Sequence, residues 1–220
     1  MERISTGVST LDLMLRGGYD RGSITMIYGG PGSGKTNLVL NFAVKISKSG
    51  KKVIFIDSEA LSPERLYSFA EGNKEIASRI LINRVKSFSE QEDAIKKAYN
   101  LIKKLKNIEA IIVDSFTEFY NLDMDHIESL TSLSKQLGML ESIAEEFSSV
   151  ILITSRVYYS FKDKKIMNVA GYYMNPAIKT IIRLEKIDDI RKAILEKHKS
   201  IKPGKSALFT IKYDSVVGLE

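Results

Sequence analysis

Eight consecutive residues, Gly29-Gly30-Pro31-Gly32-Ser33-Gly34-Lys35-Thr36, satisfy the pattern G-x-x-x-x-G-K-S/T at every fixed position. Glycine here lets backbone N–H groups turn inward around an anion with no β-carbon in the way. Lys35 adds a point charge for the outer phosphates of a nucleotide, and the Thr36 hydroxyl can serve Mg2+. The loop and the Asn37 that follows it are therefore read as the seat of ATP and Mg2+. Two carboxylates stand at the ends of apolar runs. Val53-Ile54-Phe55-Ile56-Asp57 ends in Ser58-Glu59-Ala60, and Ile108 to Val113 ends in Asp114-Ser115. A carboxylate at the carboxyl end of a parallel strand lies in the crevice where open α/β sheets bind ligands. There Glu59 could polarise an attacking water, or be a solvated loop residue; position alone does not choose. Asp114 would hold a water of the Mg2+ shell, a reading that its separation from the phosphate loop strengthens.

Chemistry of this kind needs a strand, a loop and a helix in that order, because a helix N-terminus presents partial positive charge to a phosphate. Ser23 to Tyr28 is apolar and β-branched, as a buried strand requires. Asn37 to Lys48 carries Leu38, Leu40, Phe42, Ala43 and Ile46 at helical spacing. Further buried strands are expected at Val53–Asp57, Ile80–Val85, Ile108–Val113 and Val150–Thr154. Amphipathic helices are expected at Gln91–Leu105 and Asp125–Ser149. Ser9 or Thr10 should cap a short helix that stops at Gly17-Gly18, with Leu11, Leu13 and Leu15 covering a sheet edge. Asp188-Asp189 reads as a hairpin turn, and Ser206 to Tyr213 as the last strand.

The 220 residues suffice for one large α/β domain spanning 1–220. Cysteine is absent, which excludes disulfides and thiolate metal sites. No apolar run approaches the roughly 18 residues that span a bilayer, and no secretory signal is evident, so a cytoplasmic location and no membrane partner are expected. The net charge is +6. From Lys179 to Lys205 nine basic residues face four acidic ones, which concentrates the excess in the C-terminal third. A basic balance permits a nucleic-acid partner without requiring one.

Ser5-Thr6-Gly7, then Leu11-Asp12, then Gly17-Gly18 and the nucleotide loop resemble the opening of RecA-like ATPase cores. The likeness continues to about Ile211. It is nearest the archaeal RadB recombinase paralogues, through Ile56-Asp57-Ser58-Glu59-Ala60-Leu61-Ser62-Pro63-Glu64-Arg65 and Leu195-Glu196-Lys197-His198-Lys199-Ser200. The resemblance implies a mainly parallel twisted sheet with helices on both faces and antiparallel strands added at the C-terminal end. It makes Glu59 the catalytic glutamate, with Ser58 where threonine is usual, and sets Arg65 near the adenine; a surface arginine capped by Ser62 is the simpler alternative. At Ser155-Arg156 the sequence departs from the Asn-Gln of related recombinases, whose glutamine senses the γ-phosphate. Arg156 could touch that phosphate itself or pair with an acid.

Tyr158, Tyr159, Lys162, Lys164 and Lys165 interleave aromatics with cations in a stretch read as irregular from Val157 to Met174. That mixture suits single-stranded DNA, and the family places a mobile DNA loop here; a locally packed surface loop is the plainer reading. By the same resemblance Lys197 and Lys199 would reach a neighbouring subunit's nucleotide, in a homo-oligomer; a basic edge strand that resists sheet pairing is the alternative. The chain opens on the core and has no Phe-x-x-Ala, so long filaments are not expected. The expected role is a mediator or regulator in recombination and DNA repair, partnered by DNA and a full-length recombinase. Two mechanisms stay open, a weak DNA-linked ATPase and a nucleotide-gated binding module without turnover. KaiC-like stand-alone ATPases are the competing relatives, although they usually show paired glutamates where Glu59 stands alone.

Overall fold

The computed structural model describes residues 2–120, 126–160, 165–168 and 176–219. The chain begins with β1 (Arg3–Ile4), α1 (Ser9–Met14) and β2 (Tyr19–Asp20), the two strands pairing antiparallel around the helix. Neither Ser9 nor Thr10 caps α1. Val8 is its N-cap without a side-chain bond, and Asp12 ties the entry instead, accepting from Ser5 Oγ at 2.5 Å and Thr6 N at 2.6 Å. The helix stops at Met14, before Gly17. Leu11 and Leu15 are buried, but Leu13 points to water, 76% exposed. A helix this short buries a single stripe, and positions two apart cannot share it.

Next come β3 (Ser23–Gly29), α2 (Lys35–Lys48), β4 (Lys52–Asp57), α3 (Pro63–Phe69), α4 (Lys74–Ser78), β5 (Ile80–Arg84), α5 (Phe88–Lys104) and β6 (Ile108–Asp114). α6 (His126–Phe147), β7 (Val150–Ser155), β8 (Val157–Ser160), β9 (Lys165–Asn168), β10 (Thr180–Ile187), β11 (Ile190–Lys197), β12 (Ser206–Ile211) and β13 (Val216–Leu219) complete the chain. The strand expected from Ser206 to Tyr213 is β12, ending at Ile211, and a further strand, β13, follows it after residues 212–215. Part of the stretch expected to be irregular forms a ladder, with Val157 opposite Asn168 and Ser160 opposite Lys165. Val157, Tyr158, Tyr159 and Ile166 are β-branched or aromatic types, which favour that pairing over an open loop.

Nine strands form one sheet in the order β13-β12-β11-β10-β3-β7-β6-β4-β5. The run from β10 through β3, β7, β6 and β4 to β5 is parallel, and β10 to β13 pair antiparallel. Strands buried on both faces need apolar residues at successive positions. β3, β6 and β7 meet that demand, with Met26, Ile27, Ile111, Ile112, Ile151 and Leu152 all fully buried. α1 and α2 cover one face, where Phe42 packs edge-on against Tyr19 at 5.0 Å. α5 and α6 cover the other through Ile95, Ala98, Leu137 and Leu140. Burying one such side chain contributes roughly 1.5–3 kcal/mol, so the two layers fix where each parallel strand ends.

Candidate functional site

The ends of β3, β4, β6 and β7 meet at one edge of the sheet, and each carries a polar group there. After β3 the chain turns through the phosphate loop, with Gly32 and Gly34 at φ +69° and +97°. A β-carbon on Gly29 would stand 2.5 Å from the Leu184 carbonyl, and one on Gly34 2.7 Å from Ile211 Cδ1. The loop is held from beneath by β10 and β12 as well as by its own glycines. Arg191 Nε, at the start of β11, donates to the Gly32 carbonyl at 3.0 Å. Lys35 opens α2 and folds its amine back onto the Gly29 and Gly30 carbonyls at 3.0 and 3.4 Å. Burial holds its pKa below the ordinary lysine value, against the opposing pull of Glu59 and Asp114.

Asp114 closes β6 and is fully buried. Its Oδ1 accepts from Thr154 Oγ1 at 2.5 Å, while its Oδ2 is buried with no hydrogen bond of good geometry among the described residues, the Thr36 hydroxyl lying near the carboxylate. Burial raises its pKa, and the Asp57 charge adds to the rise; the Thr154 and Thr36 hydroxyls and Lys35 oppose it. A buried carboxylate oxygen left open beside a lysine and a threonine is a fitting ligand for a hard cation or its water shell.

Glu59 hangs from a turn built by Asp57. Asp57 Oδ1 accepts from Glu59 N at 3.2 Å and Oδ2 from Leu61 N at 2.8 Å. Ser58 ties this turn to β6, its hydroxyl donating to the Ser115 carbonyl at 2.9 Å and accepting from Ser115 N at 2.7 Å. This one hydroxyl therefore cross-links the end of β4 to the end of β6. Partial withdrawal from water raises the pKa of Glu59; Asp114 and Glu118 add to the rise, and Lys35 and Arg156 oppose it.

The phosphate loop, Lys35 and Glu59 line one cleft of about 370 Å³, bounded by Gly29, Pro31, Gly32, Gly34, Lys35, Thr36, Asn37, Glu59, Arg156 and Val157, with Asp114 buried behind its wall. The loop, the open Asp114 oxygen and the cleft fit a nucleotide phosphate tail with Mg2+. Ser33 tucks inward instead, buried with its hydroxyl unpartnered. Arg156 follows β7 on the cleft's lip and pairs with Glu118, Nη1 lying 3.4 Å from Oε1.

Arg65, Lys197 and Lys199 do not line this cleft. Arg65 reaches Asn37 Oδ1 at 2.6 Å and the Tyr213 carbonyl at 2.8 Å, and stacks on Phe69 at 4.7 Å. Lys199 Nζ sits 3.4 Å from Asp20 Oδ2, which His198 Nε2 approaches at 3.3 Å. Burial first, and Lys179 second, hold the Lys197 pKa below the ordinary lysine value. Neither Lys197 nor Lys199 lines its own chain's cleft. Tyr158, Tyr159 and Lys165 belong to the β8–β9 backbone ladder, and Lys162 and Lys164 lie outside the described residues. Sequence reasoning missed Thr154, Glu118 and Arg191. A hydroxyl ending an apolar strand was a signal for Thr154. Glu118 and Arg191 act only through tertiary contact.

The profile of the Rad51 family matches residues 1–192. The DNA repair and recombination protein RadB of Thermoplasma acidophilum is 37% identical over 98% of this chain and 94% of that protein. The protein of the same name from Methanococcoides burtonii is 38% identical over 98% and 97%. A crystal structure of the RadB recombinase superposes with a TM-score of 0.84 at 31% identity, covering 99% of this chain and all of that one.

Proposed function

This chain belongs to the Rad51 family, and from that premise we propose that it is a RadB-type recombinase paralogue. It acts in recombination and DNA repair as an ATP- and DNA-binding core with weak ATPase, in a mediating or regulatory role. The observation that carries the nucleotide reading is the convergence of the loop, Lys35, Thr36 and Glu59 on one cleft, with the Asp114 carboxylate buried close to Lys35 and Thr36. The extent of the Rad51 match favours this reading over a KaiC-like ATPase.

In this mechanism the loop N–H groups and the N-terminus of α2 bind the inner phosphates. Lys35 leaves the Gly29 and Gly30 carbonyls for the outer ones. Thr36 and Asp114 would hold Mg2+, which supplies charge neutralisation and orientation of the phosphates. Glu59, fixed by the Asp57 turn, orients the attacking water and draws its proton. The β8–β9 ladder begins one residue after Arg156, so the DNA-facing stretch is continuous with the cleft's lip. Single-stranded DNA is the favoured ligand there, and a full-length recombinase and a second copy of the chain are the proposed protein partners. Lys197 and Lys199 serve the second copy, reaching its phosphates.

Binding of a fluorescent ATP analogue with Mg2+, to the wild type and to Lys35→Ala, tests the site. Affinity should fall by at least tenfold, since charge-assisted contacts contribute roughly 1.5–3 kcal/mol. Unchanged affinity removes the phosphate-loop reading. Steady-state ATPase with and without single-stranded DNA then separates a DNA-linked enzyme from a nucleotide-gated binder.

A further inference from the structure

We propose that Glu118 is a built-in competitor of the γ-phosphate: its carboxylate holds the Arg156 guanidinium at the lip of the cleft until a triphosphate takes that cation, so Arg156 favours ATP over ADP and Glu118 limits how far. The inference rests on the nucleotide reading of the same cleft and names the group that tempers its preference for a triphosphate.

The contact is of the kind that exchanges. Arg156 Nη1 lies 3.4 Å from Glu118 Oε1 and 3.5 Å from the Glu118 carbonyl. The two side chains are 54% and 31% exposed, so water competes for both. A single, half-solvated ion pair is weak, whereas a guanidinium facing a phosphate oxygen has a doubly charged acceptor and fork geometry. The backbone beneath the pair is pinned. Arg156 N donates to Thr117 Oγ1 at 3.0 Å, and Thr117 Oγ1 meets Ser155 Oγ at 3.2 Å, both hydroxyls being buried. Gln91 Nε2 fixes the Phe116 carbonyl just before them at 3.1 Å. The exchange therefore needs a rotation of one side chain and no movement of strand or loop.

Position decides which phosphate is read. Loop and helix N-terminus grip the inner phosphates, while Arg156 shares the lip with Glu59, the group that faces the attacking water. A diphosphate ends short of that lip and leaves Arg156 on Glu118. Charge argues the same way. Lys35 and Arg156 face Asp114, Glu59 and Glu118, two cations against three carboxylates. As long as Glu118 neutralises Arg156, the lip offers little attraction to a polyanion.

The test compares dissociation constants for a slowly hydrolysed ATP analogue and for ADP, both with Mg2+, in wild type, Glu118→Gln, Arg156→Gln and the double variant. Thermal unfolding of each variant checks that the fold is retained. Glu118→Gln should tighten the analogue roughly two- to fivefold, the worth of an exposed ion pair, and leave ADP within about twofold. Arg156→Gln should weaken the analogue by about tenfold or more, again sparing ADP. The double variant should match Arg156→Gln alone, because the competitor matters only when the cation is there. If Glu118→Gln leaves the analogue unchanged or weakens it, or moves ADP equally, the inference is overturned while the nucleotide site stands. Absence of binding of either nucleotide by the wild type overturns the nucleotide reading itself.

Discussion

Replacing Asp114 with Asn should stabilise the ligand-free protein and abolish its response to Mg2+. The carboxyl is fully buried at the end of β6, with Oδ2 lacking a hydrogen bond and burial pushing its pKa up. Asn keeps an oxygen for Thr154 Oγ1, now 2.5 Å away, and removes the charge. An unsatisfied buried polar atom costs roughly 1–3 kcal/mol, and relief of about 1–2 kcal/mol is the expected share once the new amide meets Thr36. In a chain of 220 residues each kcal/mol moves Tm by roughly 2–4 °C, so a rise of about 2–8 °C should appear in EDTA. The sign of the pH dependence follows from the raised folded-state pKa. Asp114 contributes stability below its unfolded pKa and loses it as pH rises through the folded value, so the variant's advantage should widen from acid to neutral pH. Thermal denaturation followed by circular dichroism across that range, without and with Mg2+ and ATP analogue, reads both halves. A variant less stable than wild type at neutral pH in EDTA would refute the reasoning, because it would mean that internal partners use the charge.

Three further outcomes are expected. Glu59→Gln should retain nucleotide binding and lose turnover; since its pKa is raised, chiefly by partial burial, wild-type hydrolysis should climb with pH through a window above the ordinary glutamate value, and a flat profile would sink its role as base. Gly34→Ala should lower Tm by at least about 2–4 °C, because left-handed backbone costs an L-residue roughly 1–2 kcal/mol before any clash with Ile211 is counted. Tyr28→Phe removes the 2.6 Å bond to Glu196, which stays paired with Arg183 at 2.8 Å, so a loss of only about 1–2 kcal/mol should be seen in urea unfolding.

The phosphate loop, its flanking strand and helix, and the two strand-end acids were legible because each is a local pattern: glycine spacing, an apolar run, a change of period. The order β3-β7-β6-β4 was not, because strands of equal hydrophobicity carry no local mark of which neighbour they pair with. β1, β2 and β13 are two to four residues long, too short for periodicity to register. The entry to α1 was misread because Asp12 reaches back to Ser5 and Thr6, satisfying the chain before the expected caps. Glu118 carries no signal of its own; it meets Arg156 only because the chain after β6 passes beside the end of β7.

The seat of Ile211 against Gly34 has a consequence for synthesis. The motif near the start of the chain is complete in composition once residue 36 has been made, yet its floor arrives from β10 and β12, more than 140 residues later. A nascent polypeptide halted before β12 would display every letter of the phosphate-binding pattern over an unsupported bend. On the proposed nucleotide reading, competence to grip the phosphates would come only once the C-terminal strands have docked beneath the loop.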